Sequence, residues 1–255
     1  MDTGNPREVA LKAISLLDLT NLNDDCTPAD IEALCARAQT PHGKVAAICI
    51  WPRFVAQARP LLAGTGIRIA TVVNFPGGDM ATADVVAETR QAIADGAEEI
   101  DMVLDYRGFM AGERERVAGQ MAAVRAACAE PVALKVILET GELKDEDIIR
   151  AASGLAISAG ADFLKTSTGK VAVNATPEAA RTLLGSIRQS GKPVGFKAAG
   201  GIRTTQDAAL YLRLADEIMG EGWSSPQTLR FGASGVLANL LATLDGAEEA
   251  GSSGY

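Results

Sequence analysis

Ile157-Ser158-Ala159-Gly160-Ala161-Asp162-Phe163-Leu164-Lys165-Thr166-Ser167-Thr168-Gly169-Lys170 reads as one complete α/β junction. A helix ends at the glycine, a short apolar strand follows, and a small polar turn closes it. A similar junction occurs earlier, at Ile93-Ala94-Asp95-Gly96-Ala97-Glu98-Glu99-Ile100-Asp101. The alignment sets Asp101 beside Lys165. Such helix–glycine–strand joints recur in any α/β barrel, so the repeat speaks for the fold and not for the chemistry.

Working outward, the same alternation runs along the chain. An amphipathic helix over 7–17 opens it, and a short strand over 16–20 carries Asp18 and Thr20. Pro28 starts a helix to about residue 38, and the turn Thr40-Pro41-His42-Gly43 breaks it. Further strands are expected at 45–50, 67–73, 99–104, 132–138, 163–165, 193–197 and 229–232. Helices are expected between them, including one opened by Thr140-Gly141-Glu142-Leu143-Lys144-Asp145 that runs through Ile157. Roughly eight short apolar strands alternating with helices imply a parallel sheet buried on both faces. In 255 residues that favours a closed (β/α)8 barrel with an extra N-terminal helix. No linker or composition shift marks a second domain. Residues 1–255 are expected to form one barrel, with a flexible tail over about 246–255.

Composition narrows the function. The net charge is −8 and no Lys/Arg run forms a patch, so nothing favours nucleic acid or an acidic membrane. No signal-peptide pattern or membrane-length apolar run occurs, and the four cysteines form no C-x-x-C. A cytoplasmic enzyme with free thiols is the expectation. His42 is the single histidine, which leaves no His-rich metal site and no easy serine–histidine triad. Neither a metal nor another cofactor is expected.

Four charged residues interrupt otherwise apolar strands: Asp101, Lys135, Lys165 and Lys197. Isolated buried charges are avoided, so four in successive strands suggest a shared polar centre. An ion-pair network filling the barrel is the structural alternative. The functional reading gives them complementary roles. An ordinary lysine is neutral in only about one molecule in a thousand near pH 7.4. Burial and a second lysine, for which Lys197 is the candidate, would push Lys165 towards the neutral amine that forms Schiff bases. Asp101 would move protons. Glycine turns follow three successive strands, at Gly169-Lys170, Gly200-Gly201 and Gly232-Ala233-Ser234-Gly235. In barrels, the last of these loops often hold phosphate.

Read together, Lys165-Thr-Ser-Thr-Gly-Lys170, Val173-Asn-Ala-Thr-Pro-Glu178, Phe196-Lys-Ala-Ala-Gly-Gly-Ile-Arg203, Leu17-Asp-Leu-Thr-Asn-Leu-Asn-Asp-Asp25, Glu139-Thr-Gly-Glu-Leu-Lys-Asp145, Glu99-Ile-Asp-Met-Val-Leu104 and Phe231-Gly-Ala-Ser234 resemble the deoxyribose-phosphate aldolase family over nearly the whole chain. The resemblance implies a metal-independent class I aldolase on a TIM barrel. Such an enzyme reversibly cleaves 2-deoxy-D-ribose 5-phosphate to acetaldehyde and D-glyceraldehyde 3-phosphate. It implies Lys165 as the Schiff-base lysine, Lys197 as the second catalytic lysine and Asp101 as the proton-relay carboxylate. Asp18, Thr20 and Lys135 would line the pocket. Thr168, Gly169, Lys170, Gly200, Gly201, Arg203, Gly232 and Ser234 would surround the phosphate end. The terminal Tyr255, tethered by Gly251-Ser252-Ser253-Gly254, would transfer protons at the nucleophilic carbon. A homodimer is a further expectation.

Two positions depart from the family pattern. Gly235 stands where related sequences carry a second serine, and Ala198 where some carry proline. A transaldolase-like or pyridoxal-phosphate-dependent Schiff-base enzyme and a non-catalytic sugar-phosphate-binding barrel stay open on the residues alone.

Overall fold

Eight parallel strands close into a barrel in the computed structural model, which describes residues 5–247. They are Leu17–Asn21 (β1), Ala47–Ile50 (β2), Arg68–Val73 (β3), Glu99–Val103 (β4), Ala133–Ile137 (β5), Phe163–Lys165 (β6), Gly195–Ala199 (β7) and Leu229–Ala233 (β8). Each pairs with its neighbours in chain order, and β1 closes the ring against β8. The strands are buried almost throughout because helices cover the outer face and side chains fill the interior.

Local signals explain the helix starts. Thr27 and Thr204 each form a reciprocal capping box, with Asp30 and Asp207, and Thr176 caps the helix Pro177–Ser190. The N-terminal helix Pro6–Ser15 packs against the last two helices, Thr205–Met219 and Val236–Asp245.

Three details differ from the sequence expectation. The Thr40-Pro41-His42-Gly43 break contains a small antiparallel hairpin, Gln39–Thr40 with Gly43–Lys44. His42 there contacts Asp245 at 2.8 Å. The expected helix from Thr140 to Ile157 is two helices, Thr140–Leu143 and Glu146–Ser158. Lys144, at φ +60, leaves helical geometry between them, and Asp145 caps the second one. Finally, β7 begins two residues later than expected, since Pro193 has no N–H to give a ladder. Lys197 therefore sits in the middle of its strand.

Candidate active site

Strand register decides which side chains meet. Lys165 is the Cα partner of Lys197 across β6 and β7. Lys197 is the partner of Arg230 on β8, and Asp101 is the partner of Lys135 across β4 and β5. Lys197 needs room beside β8: a Cβ on Gly232 would stand 3.0 Å from its Cε. Glycine at 232 lets the lysine pass.

Seven charged side chains meet inside the barrel, all at most 5% exposed. Asp101 Oδ1 accepts from Lys135 at 2.8 Å, while its Oδ2 accepts from both Lys165 and Lys197 at 2.7 Å. Asp18 accepts from Lys197 at 2.5 Å and from Arg230 at 2.6 Å. Glu99 takes Lys135 at 2.6 Å and Arg230 at 2.8 Å. Three carboxylates thus face four cationic groups. With all seven of these buried groups ionised the set carries one net positive charge, and the half-exposed Arg68, 3.7 Å from Glu99, adds to it from the edge.

The proton most easily lost is that of Lys165. Burial pushes its amine below the ordinary lysine value, Asp101 opposes this, and the nearby Lys197 charge adds to it. Burial also acts against charge on Lys197 and Lys135, but there carboxylates win: Asp101 and Asp18 raise Lys197, and Asp101 and Glu99 raise Lys135. Burial would raise Asp18, Glu99 and Asp101, yet the surrounding cations hold all three below the usual carboxylate range. Lys197 contributes to the lowering of Lys165, as expected, although burial is the larger cause.

Above this cluster lies a cavity of about 630 Å³. Lys165 is the one member of the cluster that lines it. Thr20 also lines it, as do Thr168, Gly169 and Lys170, Gly200, Gly201 and Arg203, and Gly232 and Ser234. Asp18 and Lys135, expected to line the pocket, are fully buried among the charges and contribute no exposed surface to the cavity wall. For Lys135 the register gives the reason, because it pairs with Phe163, two residues before Lys165. Tyr255 lies outside the described residues.

The cavity rim favours an anion. Gly169, Gly200 and Gly201 have φ between +79° and +85°, which suits glycine. A side chain on Gly200 would also strike Asn174. Gly235 precedes the ten-residue helix Val236–Asp245 with no side-chain cap, so the first amides of that helix face the same end. Lys170 stands at the mouth, 3.2 Å from Asp24 and with its ammonium 5.9 Å above the Trp51 ring.

Two members of the cluster were not anticipated. Arg230 interrupts the apolar strand Leu229–Ala233 just as the lysines interrupt theirs, so the same criterion would have found it. Glu99 opens its strand and reads in sequence as a solvated end. Among the described residues no cluster of three His, Cys, Asp or Glu is placed to hold a metal ion. The four cysteines are free and buried; burial pushes Cys35 and Cys128 up to about 11.

A closed barrel with one reachable lysine at the floor of a glycine-rimmed cavity has the layout of a barrel aldolase. Comparison with known proteins supports that class. The model of the DeoC/LacD family aldolases matches residues 12–240, and the chain belongs to this family. It is 63% identical to a deoxyribose-phosphate aldolase of Agrobacterium fabrum, over 100% of this chain and 99% of that relative. A crystal structure of a candidate deoxyribose-phosphate aldolase from Coccidioides immitis superposes with a TM-score of 0.81 at 32% identity, covering 92% of this chain and 86% of the other. The tetrameric deoxyribose phosphate aldolase of Aeropyrum pernix shares the fold, with a TM-score of 0.75 at 24% identity over 93% of this chain and 96% of that one.

Proposed function

We propose that this chain reversibly cleaves 2-deoxy-D-ribose 5-phosphate to acetaldehyde and D-glyceraldehyde 3-phosphate through a Schiff base on Lys165. The observation that carries this reading is the position of Lys165. It is the only amine of the buried cluster that lines the cavity, and burial favours its neutral form. The neutral amine adds to the C1 aldehyde of the open-chain sugar, and the carbinolamine takes up one proton and loses water to give the cationic iminium. A base takes the C3 hydroxyl proton, the C2–C3 bond breaks, and D-glyceraldehyde 3-phosphate departs. The enamine left on Lys165 gains a proton at C2, and water releases acetaldehyde.

The buried cluster suits these charge changes. Neutral Lys165 leaves its seven groups balanced, and the iminium restores one positive charge beside Asp101 Oδ2, which lies 2.7 Å from Nζ. Asp101 is the proposed relay carboxylate. Lys197 keeps its proton and acts as the fixed neighbouring charge. The anionic end of the sugar goes to the rim of Gly169, Lys170, Gly200, Gly201, Arg203 and Ser234, where amides and two cations offset a net charge of −8.

Tyr255 is proposed as the proton carrier at C2. Changing it to Phe should slow exchange of acetaldehyde methyl protons in deuterated water while leaving trapping on Lys165 intact. Exchange at the wild-type rate would remove the hydroxyl from the mechanism. Among the described residues no helix is long and apolar enough to cross a membrane. A cytoplasmic location and a homodimer remain part of the proposal; sedimentation tests the dimer.

The function itself is tested by supplying deoxyribose 5-phosphate and measuring both products. Equimolar acetaldehyde and D-glyceraldehyde 3-phosphate are expected. Turnover of a different aldol substrate, with none of this one, would favour another Schiff-base barrel enzyme.

A further inference from the structure

Glu139 lies two residues beyond the end of β5 and is fully buried. Its φ of +56° puts a non-glycine residue in the left-handed region. That conformation is strained for a residue with a side chain and persists only where the surroundings enforce it. The enforcement is visible on both sides. The Leu138 N–H donates to the Lys165 carbonyl at 2.9 Å, and the Thr140 N–H donates to the Thr166 carbonyl at 2.9 Å. The backbone around Glu139 is thereby stitched to β6 and its extension.

The side chain then reaches across to the turn after Lys165. The Thr168 N–H donates to Oε1 at 3.2 Å, and the Thr168 hydroxyl donates to Oε2 at 2.5 Å. The same hydroxyl accepts from the Lys170 N–H at 3.0 Å. Glu139, Thr168 and Lys170 therefore form one hydrogen-bonded chain, with Gly169 in the middle of it. Thr168, Gly169 and Lys170 line the cavity, whereas Glu139 does not. With both oxygens accepting, the contacts fit the carboxylate form. Burial raises this carboxyl, while the Thr168 hydrogen bonds and the Lys165 charge act the other way. A buried carboxylate beside an anion site is electrostatically unfavourable there. Its use has to be geometric.

We propose that Glu139 is the positioning residue of the phosphate-binding turn, acting through Thr168 to hold Gly169 and Lys170 in the conformation that grips a phosphoryl group. This rests on the aldolase reading above and deepens it. Residues of the catalytic cluster are not in direct hydrogen-bond contact with the Glu139 carboxylate, so loss of its grip should affect phosphate recognition and spare imine chemistry.

The test compares Glu139→Gln, Thr168→Val, Thr168→Ser and the double variant Glu139→Gln/Thr168→Val. The glutamine side chain keeps the size but turns one acceptor into a donor. KM for deoxyribose 5-phosphate should rise about tenfold in Glu139→Gln and in Thr168→Val, with little change for unphosphorylated 2-deoxyribose. Thr168→Ser, which keeps the hydroxyl, should recover most of the phosphate affinity that Thr168→Val loses. The double variant should be no worse than the poorer single one. Borohydride trapping of acetaldehyde on Lys165 should continue at the wild-type level in Glu139→Gln. Calorimetric titration with inorganic phosphate, which needs no turnover, should show the same tenfold weakening. Equal losses on both sugars, additive effects, or unchanged phosphate affinity would overturn the proposal. If wild type fails to cleave the sugar, the aldolase reading falls, and the phosphate titration still decides the role of Glu139. If Glu139→Gln does not fold, Thr168→Val against Thr168→Ser carries the comparison.

Discussion

Lys165 and Lys197 are register partners on adjacent parallel strands, and their two nitrogens share a single oxygen, Asp101 Oδ2, at 2.7 Å each. That geometry keeps the amines within about 6 Å of one another, where like charges shift each other's protonation. They do not share the shift equally. Lys197 also holds Asp18 at 2.5 Å, and the two carboxylates keep it charged; Lys165 hydrogen-bonds one carboxylate, Asp101. One pair of lysines is thus split into a fixed cation and an amine biased towards its neutral form.

Replacing Lys197 with Leu removes the like charge and leaves Asp101 Oδ2 to Lys165. Both changes raise the Lys165 value. The pH midpoint for Schiff-base formation with acetaldehyde should move up by about one unit or more. In wild type the midpoint should lie below 10.5, since deprotonation makes the nucleophile and its folded value is lowered. An unmoved midpoint in the variant would leave burial as the whole cause.

Replacing Asp101 with Asn acts in the opposite direction on the amine. Asp101 raises Lys165, so its loss should lower the Schiff-base midpoint. Turnover should nonetheless fall by about a hundredfold or more, because the proposed relay carboxylate is gone. A variant that simply fails to fold would show that the cluster is mainly an internal ion-pair framework.

Arg230→Met should cost stability rather than chemistry. The guanidinium bonds both Asp18 and Glu99 deep in the barrel. Removing one partner of a buried ionic group costs about 3–5 kcal/mol. For a protein of this size that is a fall in Tm of about 6–20 °C by calorimetry. The sign with pH is also fixed. Asp18, Glu99 and Asp101 have lowered folded values, so the stability they contribute is present at neutral pH, above their unfolded values. It is lost as the pH falls through the lowered values.

Sequence legibility followed physical contrast. The barrel was readable because short apolar strands and glycine-ended helices alternate with a steady period. Lys165, Lys197, Lys135 and Asp101 were readable because a charge on an apolar strand stands out. Depth was not. Lys135 pairs with Phe163, two residues before Lys165, and such depth follows from register across the ring, which one strand alone does not reveal. Glu139 was hidden for another reason. In Glu139-Thr140-Gly141-Glu142 it reads as an ordinary acidic helix start, and only its left-handed backbone turns the carboxylate onto Thr168.

Borohydride reduction in the presence of acetaldehyde tests Lys165 as the nucleophile. The protein should lose activity and gain one ethyl group per chain, found by peptide mapping on Lys165. Lys165→Arg should take up none. An adduct confined to Lys197, Lys135 or a surface lysine, or full activity after reduction, would exclude Lys165 as the nucleophile.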